Sequence, residues 1–236
     1  MMRSGVSGDS SLQPVYLFAD SELLFWKQGS KPFIESLRGL LGDDVPKAAY
    51  IGASNGDAEE FHSIFESAMD GIGLTTRMIR SSFPEGDRQY LREARVILLA
   101  GGDIERGWKV FVETGMKDDI LYSYQNGAVL IGISAGAVQL GLHAVVERGE
   151  SSHQLIDSLK VVPFVIDVHD ELRNWSRLES TIRLLEGMTV GIGIPKGGGL
   201  TYHSDRTLEA VRRPLYEFSV ENGTLKHSLL MPSETP

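Results

Sequence analysis

The chain has 236 residues, a formal net charge of −9 and no cysteine. The lack of cysteine excludes disulfides, thiolate metal sites and a cysteine nucleophile. The acidic charge and the absence of any basic run argue against partners such as nucleic acid or an anionic membrane, because both are bound through basic patches.

Residues 1–13 are polar, are rich in serine and glycine, and lack the apolar core of a signal peptide. No later segment offers 18 uninterrupted apolar residues, so the sequence predicts no transmembrane helix. These observations favour a flexible tail over residues 1–13, one domain over residues 14–236 and a cytoplasmic location.

Short apolar runs alternate with helical periodicity along the rest of the chain. The runs are apolar on both faces, as buried strands of a parallel sheet are; they cover residues 14–19, 48–52, 96–100, 129–132, 159–166 and 188–194. Helical spacing relates Phe33, Ile34, Leu37 and Leu41, then Phe61, Phe65 and Met69, and later Leu178, Ile182 and Leu185. After the last run, turn signals predict antiparallel strands. We expect an α/β fold with a single doubly wound, mostly parallel sheet flanked by helices, with a short antiparallel C-terminal extension.

The run that ends at Ala100 is followed by Gly101, Gly102 and Asp103, and then by a helical segment. The ends of parallel strands lie on one edge of a sheet, where ligands bind. The amide of Gly102 is therefore a candidate donor to a developing oxyanion. The alternative is a glycine that only allows a turn with positive φ.

The next run leads into the sequence Gly132, Ile133, Ser134, Ala135 and Gly136. A serine on a tight turn between a strand and a helix has a strained backbone, so the residues two positions to either side must be small. This context predicts Ser134 as a nucleophile and the amide of Ala135 as a second oxyanion donor. The alternative is a serine that only caps a helix.

An activated serine needs a base, and the chain has six histidines. His169 follows directly after the buried run near Ile166 and precedes a helix, which predicts a position on the same sheet edge as Ser134. We therefore expect His169 to act as the general base. This chemistry requires no metal and no cofactor.

These segments resemble the peptidase E and cyanophycinase family of serine peptidases. That family is similar in fold to class I glutamine amidotransferases, with a serine in place of the cysteine nucleophile. The resemblance spans most of the chain and rests on residues 50–57, 100–103 and 132–137. His169 followed by Arg173 and Arg177 is similar to the family's base region. The resemblance implies hydrolysis of peptide bonds next to acidic residues, in α-aspartyl dipeptides or at the β-aspartyl-arginine links of cyanophycin.

The resemblance also implies a glutamate after a strand like residues 191–194, but Lys196 stands in that region. A lysine ammonium only donates hydrogen bonds, so it cannot orient an imidazole N–H. Glu150 is the first candidate to orient His169 instead, and Asp170 is the second. For each, the alternative is a solvated surface carboxylate.

Arg173 and Arg177 are candidates to bind an acidic substrate side chain, because a guanidinium binds a carboxylate bidentately. Both are alternatively ordinary exposed residues of the following helix. The first strand leads into Ala19 and Asp20, where relatives carry glycines, which leaves the substrate contacts open. The expected partner is a small peptide with an acidic residue, and a homodimer is a candidate assembly.

Two other functions remain open from the sequence. Lys196 motivates a catalytically weakened relative that binds a peptide or amino acid. An esterase of the α/β-hydrolase type is the other, since Glu150 lies between the serine and the histidine as the acid does in that class. A glutamine amidotransferase is excluded, because its nucleophile is a cysteine.

Overall fold

The structure is a computed structural model that describes residues 12–41, 46–147, 153–186 and 188–233. Its strands are β1 (Val15–Phe18), β2 (Lys27–Gln28), β3 (Lys31–Pro32), β4 (Lys47–Ile51), β5 (Thr75–Ile79), β6 (Val96–Leu99), β7 (Val129–Ile133), β8 (His143–Glu147), β9 (His153–Asp157), β10 (Val165–Val168), β11 (Gly191–Ile194), β12 (Gly199–Tyr202), β13 (Leu208–Val211), β14 (Leu215–Glu221) and β15 (Thr224–Leu230).

The α-helices are α1 (Glu59–Asp70), α2 (Glu85–Glu93), α3 (Ile104–Thr114), α4 (Met116–Gln125), α5 (Ala135–Leu140) and α6 (Ser176–Leu184). Short 3₁₀ segments cover Ser21–Leu24, Phe33–Leu40, Ala53–Asn55 and Glu171–Arg173. None of the helices in the described ranges combines the length and apolar character that crossing a membrane requires.

The larger sheet has seven strands in the order β13-β12-β1-β7-β6-β4-β5. Five neighbouring strands pair in parallel, in the order β1, β7, β6, β4 and β5. Strands β12 and β13 extend the sheet beyond β1 with antiparallel pairs. Successive residues of a strand point to opposite faces, so Leu130 joins one apolar cluster and Ile131 joins the other. Helices cover both faces, which is why these strands are continuously apolar.

The smaller sheet has four strands in the order β10-β11-β14-β15. Strands β10 and β11 are parallel, and β14 and β15 continue the sheet with antiparallel pairs. The face of this sheet is covered by Trp175 and by Leu178 and Ile182 of α6, which pack with Val165 and Phe218. Burial of each such side chain stabilises the fold by roughly 1.5–3 kcal/mol.

The predicted α/β fold class is confirmed, with a large, mostly parallel sheet between helices and antiparallel strands near the C-terminus. Two predicted strands begin later than expected: β11 begins at Gly191 and β10 at Val165. The residues before β10 form a partly buried connection whose amides donate to the end of α5: Leu159 N–H donates to Gln139 O and Val162 N–H to Leu140 O.

Two elements depart from the sequence pattern for identifiable reasons. Strand β5 was not predicted, because Thr75–Ile79 lies at the sheet edge and begins with three polar residues, none of them buried, instead of forming an apolar run. The helix expected around Phe33 is a 3₁₀ helix. It still buries Ile34 and Leu37, which have the predicted spacing.

The prediction that His169 lies on the same sheet edge as Ser134 is wrong in one respect. Ser134 follows β7 in the seven-stranded sheet, whereas His169 follows β10 in the four-stranded sheet. The two residues therefore meet across two sheets instead of along one edge.

Candidate active site

Ser134 lies at the turn between β7 and α5 with φ 51° and ψ −115°. This backbone conformation is strained for a residue with a side chain, and it persists only where the surroundings fix it. The Ser134 amide donates to Phe18 O of β1 at 2.9 Å, and the Ser134 carbonyl accepts from the amide of Ala137 at 2.9 Å. The turn is therefore held by the neighbouring strand and by the first turn of the helix.

The glycines two positions to either side of Ser134 leave no room for a side chain. A Cβ atom at Gly132 would lie 2.7 Å from the backbone of Ala137, and one at Gly136 would overlap the carbonyl group of Leu99 in β6. Such overlaps force backbone shifts in a close-packed interior. The turn has the geometry that the sequence pattern predicts for a nucleophile elbow.

The predicted oxyanion donors lie next to this elbow. Gly102 lines the cavity beside Ser134 and has φ 138°, and a Cβ atom there would overlap the carbonyl of Ser54. Within the described ranges, neither the amide of Gly102 nor that of Ala135 donates to a protein acceptor. A Cβ at Gly101 would approach the Ser134 Cβ to 3.1 Å, so this glycine turn runs directly past the serine.

His169 reaches Ser134 from the other sheet. Its Nε2 lies 3.0 Å from Ser134 Oγ. The His169 backbone has φ 43°, and its amide donates to Ile194 O of β11 at 2.9 Å. When Nε2 carries no proton it accepts the serine hydroxyl proton, which is the geometry that a general base requires.

The carboxylate that would orient His169 is not identified among the described residues. Glu150, the first candidate, lies outside them. Asp170 is 4% exposed, and its Oδ1 accepts from Arg173 Nε at 2.7 Å. Within the described part of the chain, no carboxylate hydrogen-bonds to the second ring nitrogen of His169.

Two buried carboxylate oxygens close to His169 in sequence have no hydrogen-bond partner in the described structure: Asp170 Oδ2 and Glu171 Oε2. The other oxygen of Glu171 accepts from the amide of Lys196 at 3.2 Å. Glu171 therefore brings a carboxylate to the turn at Lys196, where the family resemblance had implied an acid. An unsatisfied buried oxygen is costly, so each of these atoms calls for a function or a water partner.

Arg173 and Arg177, the predicted substrate-binding residues, contact buried carboxylates and do not line the cavity at Ser134. Arg177 pairs with Asp167, whose side chain is 5% exposed. Burial raises the pKa of Asp167, and the hydrogen bond and charge of Arg177 oppose that rise. The structure therefore brings Ser134, His169 and Gly102 together and leaves these two arginines in ion pairs outside the lining of the cavity.

A cavity of about 310 Å³ opens beside Ser134 and His169. Its other lining residues are Ala19, Asp20, Ser21, Leu24, Tyr50, Asn55, Phe61, Ile64, Phe65, Leu98, Ala100, Gly101, Gly102 and Ile133. The size falls at the lower end of ordinary ligand sites, roughly 300–1,000 Å³. Among the described residues, no group of three or more His, Asp or Glu side chains is arranged to hold a metal ion.

Several cavity residues were missed by the sequence analysis. The sequence placed Phe61 at helical spacing with Phe65, but Phe61 is 50% exposed and Phe65 only 1%. The available signal was the width of the apolar stripe on α1, because Ile64 adds a further apolar residue beside Phe61. Asp20 had been noted only as a departure from relatives.

The mostly parallel sheet, the strained serine turn and the adjacent glycine turn define an α/β protein with a hydrolase-type elbow. The model of peptidase family S51 matches residues 22–209. The chain therefore belongs to peptidase family S51.

Solved structures share the fold. A peptidase from an acI-B1 Actinobacterium matches with a TM-score of 0.70 at 16% identity, over 95% of this chain and 96% of that one. A protein of Listeria monocytogenes EGD-e assigned as peptidase E matches with a TM-score of 0.62 at 16% identity, over 85% of this chain and 98% of that one. Comparison with curated proteins finds no match.

Proposed function

We propose that this member of the S51 peptidases cleaves small peptides through an acyl-enzyme formed on Ser134, with His169 as the general base. The observation that carries the proposal is the 3.0 Å contact between Ser134 Oγ and His169 Nε2 at a strained elbow that opens into a cavity. A nucleophile within hydrogen-bond reach of its base is the arrangement that covalent catalysis needs.

In the proposed reaction, Ser134 Oγ attacks the scissile carbonyl while His169 Nε2 takes the hydroxyl proton. The carbonyl oxygen becomes an oxyanion that accepts hydrogen bonds from the free amides of Gly102 and Ala135; one such donor contributes about 10²–10³-fold to kcat. His169 then returns the proton to the leaving amine. Water activated by the same imidazole releases the acid product and restores Ser134.

The imidazolium that forms on His169 would be stabilised by a nearby carboxylate. Glu150 and Asp170 remain the proposed candidates from the sequence, and Glu171 joins them because its Oε2 is buried beside the turn at Lys196. Loss of the triad acid in a serine protease lowers kcat by about 10⁴-fold, so this carboxylate decides whether the enzyme is fast or slow.

The substrate proposed from the family resemblance is a peptide with an aspartyl or isoaspartyl residue next to the scissile bond, bound through Arg173 or Arg177. Both arginines have carboxylate partners within the protein. An arginine engaged in this way would have to exchange its partner to bind a substrate carboxylate. The acidic substrate therefore rests on the resemblance, and the lining of the cavity gives it no support.

The test of the mechanism is labelling with a fluorophosphonate, followed by location of the adduct by mass spectrometry. We expect a single adduct on Ser134, and we expect the Ser134→Ala variant to lose both the adduct and peptide hydrolysis. Ser180→Ala is the matched control, because Ser180 Oγ only donates to Ser176 O on α6. An unlabelled Ser134, with hydrolysis unchanged in Ser134→Ala, would refute the proposal.

A second candidate function is a catalytically weakened protein that binds a peptide or an amino acid. It is favoured by the lack of a carboxylate partner for His169 within the described residues. Calorimetry separates the two: tight binding of a peptide that stays intact supports the binder, and turnover at ordinary enzymatic rates of about 1–10³ s⁻¹ excludes it.

A further inference from the structure

We propose that the cavity beside Ser134 binds a large apolar side chain of the peptide, next to the scissile bond, in preference to an acidic side chain. This inference rests on the proposed function, because it names the substrate class of the same site.

One wall of the cavity is an apolar face of α1 formed by Phe61, Ile64 and Phe65, with Leu24 and Ile133 lining other parts. Phe61 is 50% exposed and Ile64 is 37% exposed. Large apolar side chains left partly in water lose part of the free energy that burial would give them. An apolar substrate side chain would cover both residues and recover that free energy, as occupied apolar patches do.

The charges at the cavity disfavour an acidic side chain. Among the described residues, the lining includes no lysine and no arginine, and its ionisable groups are Asp20, Tyr50 and His169. Both oxygens of Asp20 accept backbone hydrogen bonds, Oδ1 from Glu22 at 2.9 Å and Oδ2 from Gly197 at 2.7 Å. These bonds fix a carboxylate at the wall, where it would repel a substrate carboxylate.

Two neutral polar side chains of the wall, Asn55 and Tyr50, hydrogen-bond to each other. Asn55 Nδ2 donates to the Tyr50 hydroxyl at 2.8 Å, and Asn55 Oδ1 accepts from the amide of Ala58 at 3.2 Å. Burial raises the pKa of Tyr50 to about 12, so its hydroxyl stays neutral at physiological pH. A substrate carboxylate entering this cavity would lose its hydration and gain few hydrogen bonds in return.

The expected selectivity follows from these two effects. Burying one large apolar side chain improves binding by about 10- to 100-fold. An acidic side chain gains nothing comparable and meets Asp20. We therefore expect leucine and phenylalanine to be preferred over aspartate by about 100-fold in kcat/KM, at one of the two positions that flank the scissile bond.

Binding is measured first, without any need for turnover. Calorimetry on the Ser134→Ala protein compares Ala-Leu-Ala, Ala-Phe-Ala and Ala-Asp-Ala. The proposal expects the leucine or phenylalanine peptide to bind at least about 10-fold more tightly than the aspartate peptide. Equal or tighter binding of the aspartate peptide, or no binding of any of the three, would overturn it.

A substitution at the cavity wall should then shift the binding preference from leucine towards aspartate. Ile64→Arg puts a guanidinium on the cavity wall, so the aspartate peptide should gain about 10-fold in affinity and the leucine peptide should lose affinity. Val112→Arg is the matched control: Val112 is also a half-exposed apolar helix residue, 48% exposed, and it does not line the cavity. Unchanged preferences in Ile64→Arg, with thermal melting showing that it is folded, would contradict the assignment of this wall.

Failure of the proposed function gives a different result from failure of this inference. Fluorophosphonate labelling of Ser134 in the wild-type protein reports on the nucleophile alone, whatever side chain the cavity prefers. A labelled Ser134 with a preference for aspartate would refute the apolar cavity and leave the peptidase proposal intact. An unlabelled Ser134 with a leucine preference would do the reverse.

Discussion

Ser134 and His169 are held by two sheets that differ in how strongly the local sequence determines their positions. The residues around Ser134 belong to strands in which Leu99, Val129 and Leu130 are completely buried. His169 follows the first strand of a smaller sheet whose last strand, β15, is mostly exposed. His169 itself follows a buried strand, so the contrast lies in the contacts: the serine turn is held locally, whereas the position of the base depends on how the smaller sheet packs.

Only the parts of such a site that are fixed by neighbouring residues can be inferred from the local sequence. The serine turn needs a strand, a helix and small neighbours, and all of these lie within a few residues of Ser134. The base needs a contact between distant segments, and its orienting group need not be near it in sequence. The predictions below test this contrast in order of decreasing expected effect.

The largest effect is expected for His169→Gln. A glutamine side chain cannot take the serine proton, so kcat/KM for peptide hydrolysis should fall by about 10⁴-fold or more. Steady-state kinetics measure this loss, with His227→Gln on the exposed strand β15 as the control. A loss of less than tenfold in His169→Gln, or an equal loss in the control, would show that His169 is not the base.

The local packing of the serine turn is tested by Gly136→Ala. The new Cβ would overlap the carbonyl of Leu99, so we expect a loss of about 2–3 kcal/mol in the free energy of unfolding. Gly86→Ala is the control, because a Cβ at this position in α2 would meet no atom within 4 Å; we expect it to stabilise the helix by about 0.5–1 kcal/mol. Urea denaturation measures both variants, and equal stabilities would refute the tight packing inferred for the elbow.

The orienting carboxylate is tested by replacing Glu150, Asp170 and Glu171 with their amides, one at a time. No carboxylate hydrogen-bonds to the His169 ring among the described residues, so neutralising the residue that stabilises the imidazolium should lower kcat by about 10–10²-fold, less than the loss of a hydrogen-bonded triad acid, with little change in KM. In that variant, the acid limb of the pH–rate profile should move to lower pH, because the protonated His169 ring loses a stabilising anion.

The other two amide variants should retain kcat within about threefold. Full activity in all three would mean that the base works without a carboxylate. Comparable losses in all three, without any change in the pH–rate profile, would indicate structural damage instead of a role at His169.

The smallest effect is expected for Tyr50→Phe at the cavity wall. This change removes the acceptor for Asn55 Nδ2 and should cost about 1 kcal/mol of stability. Because the pKa of Tyr50 is raised to about 12, its hydroxyl does not titrate in the working range, and the pH–rate profile should keep its shape. A changed profile would give Tyr50 a role in proton transfer.

Much of the fold was predictable from the sequence, because apolar runs indicate buried parallel strands and a local motif indicates the serine elbow. The edge strand β5 was not, since Thr75–Ile79 begins with three polar residues that are not buried. The division into two sheets was not predictable either, because strand pairing is a long-range property.

The residues of the candidate site also include some that were predictable from the sequence and some that were not. Ser134, Gly102 and His169 could be selected from their positions at strand ends. The ion pairs of Arg173 and Arg177 could not, because a sequence gives no signal for which carboxylate an arginine meets. The cavity was missed because Phe61 has the spacing of a core residue and only the packing of α1 leaves it half exposed.

Activation of Ser134 by His169 is measured by the rate at which a fluorophosphonate modifies Ser134 in the wild-type protein and in His169→Gln, read at the serine itself by mass spectrometry. If the imidazole activates the hydroxyl across the two sheets, modification is confined to Ser134 and slows by at least about 10³-fold in the variant. Equal rates in the two proteins, or modification spread over other serines, would contradict it.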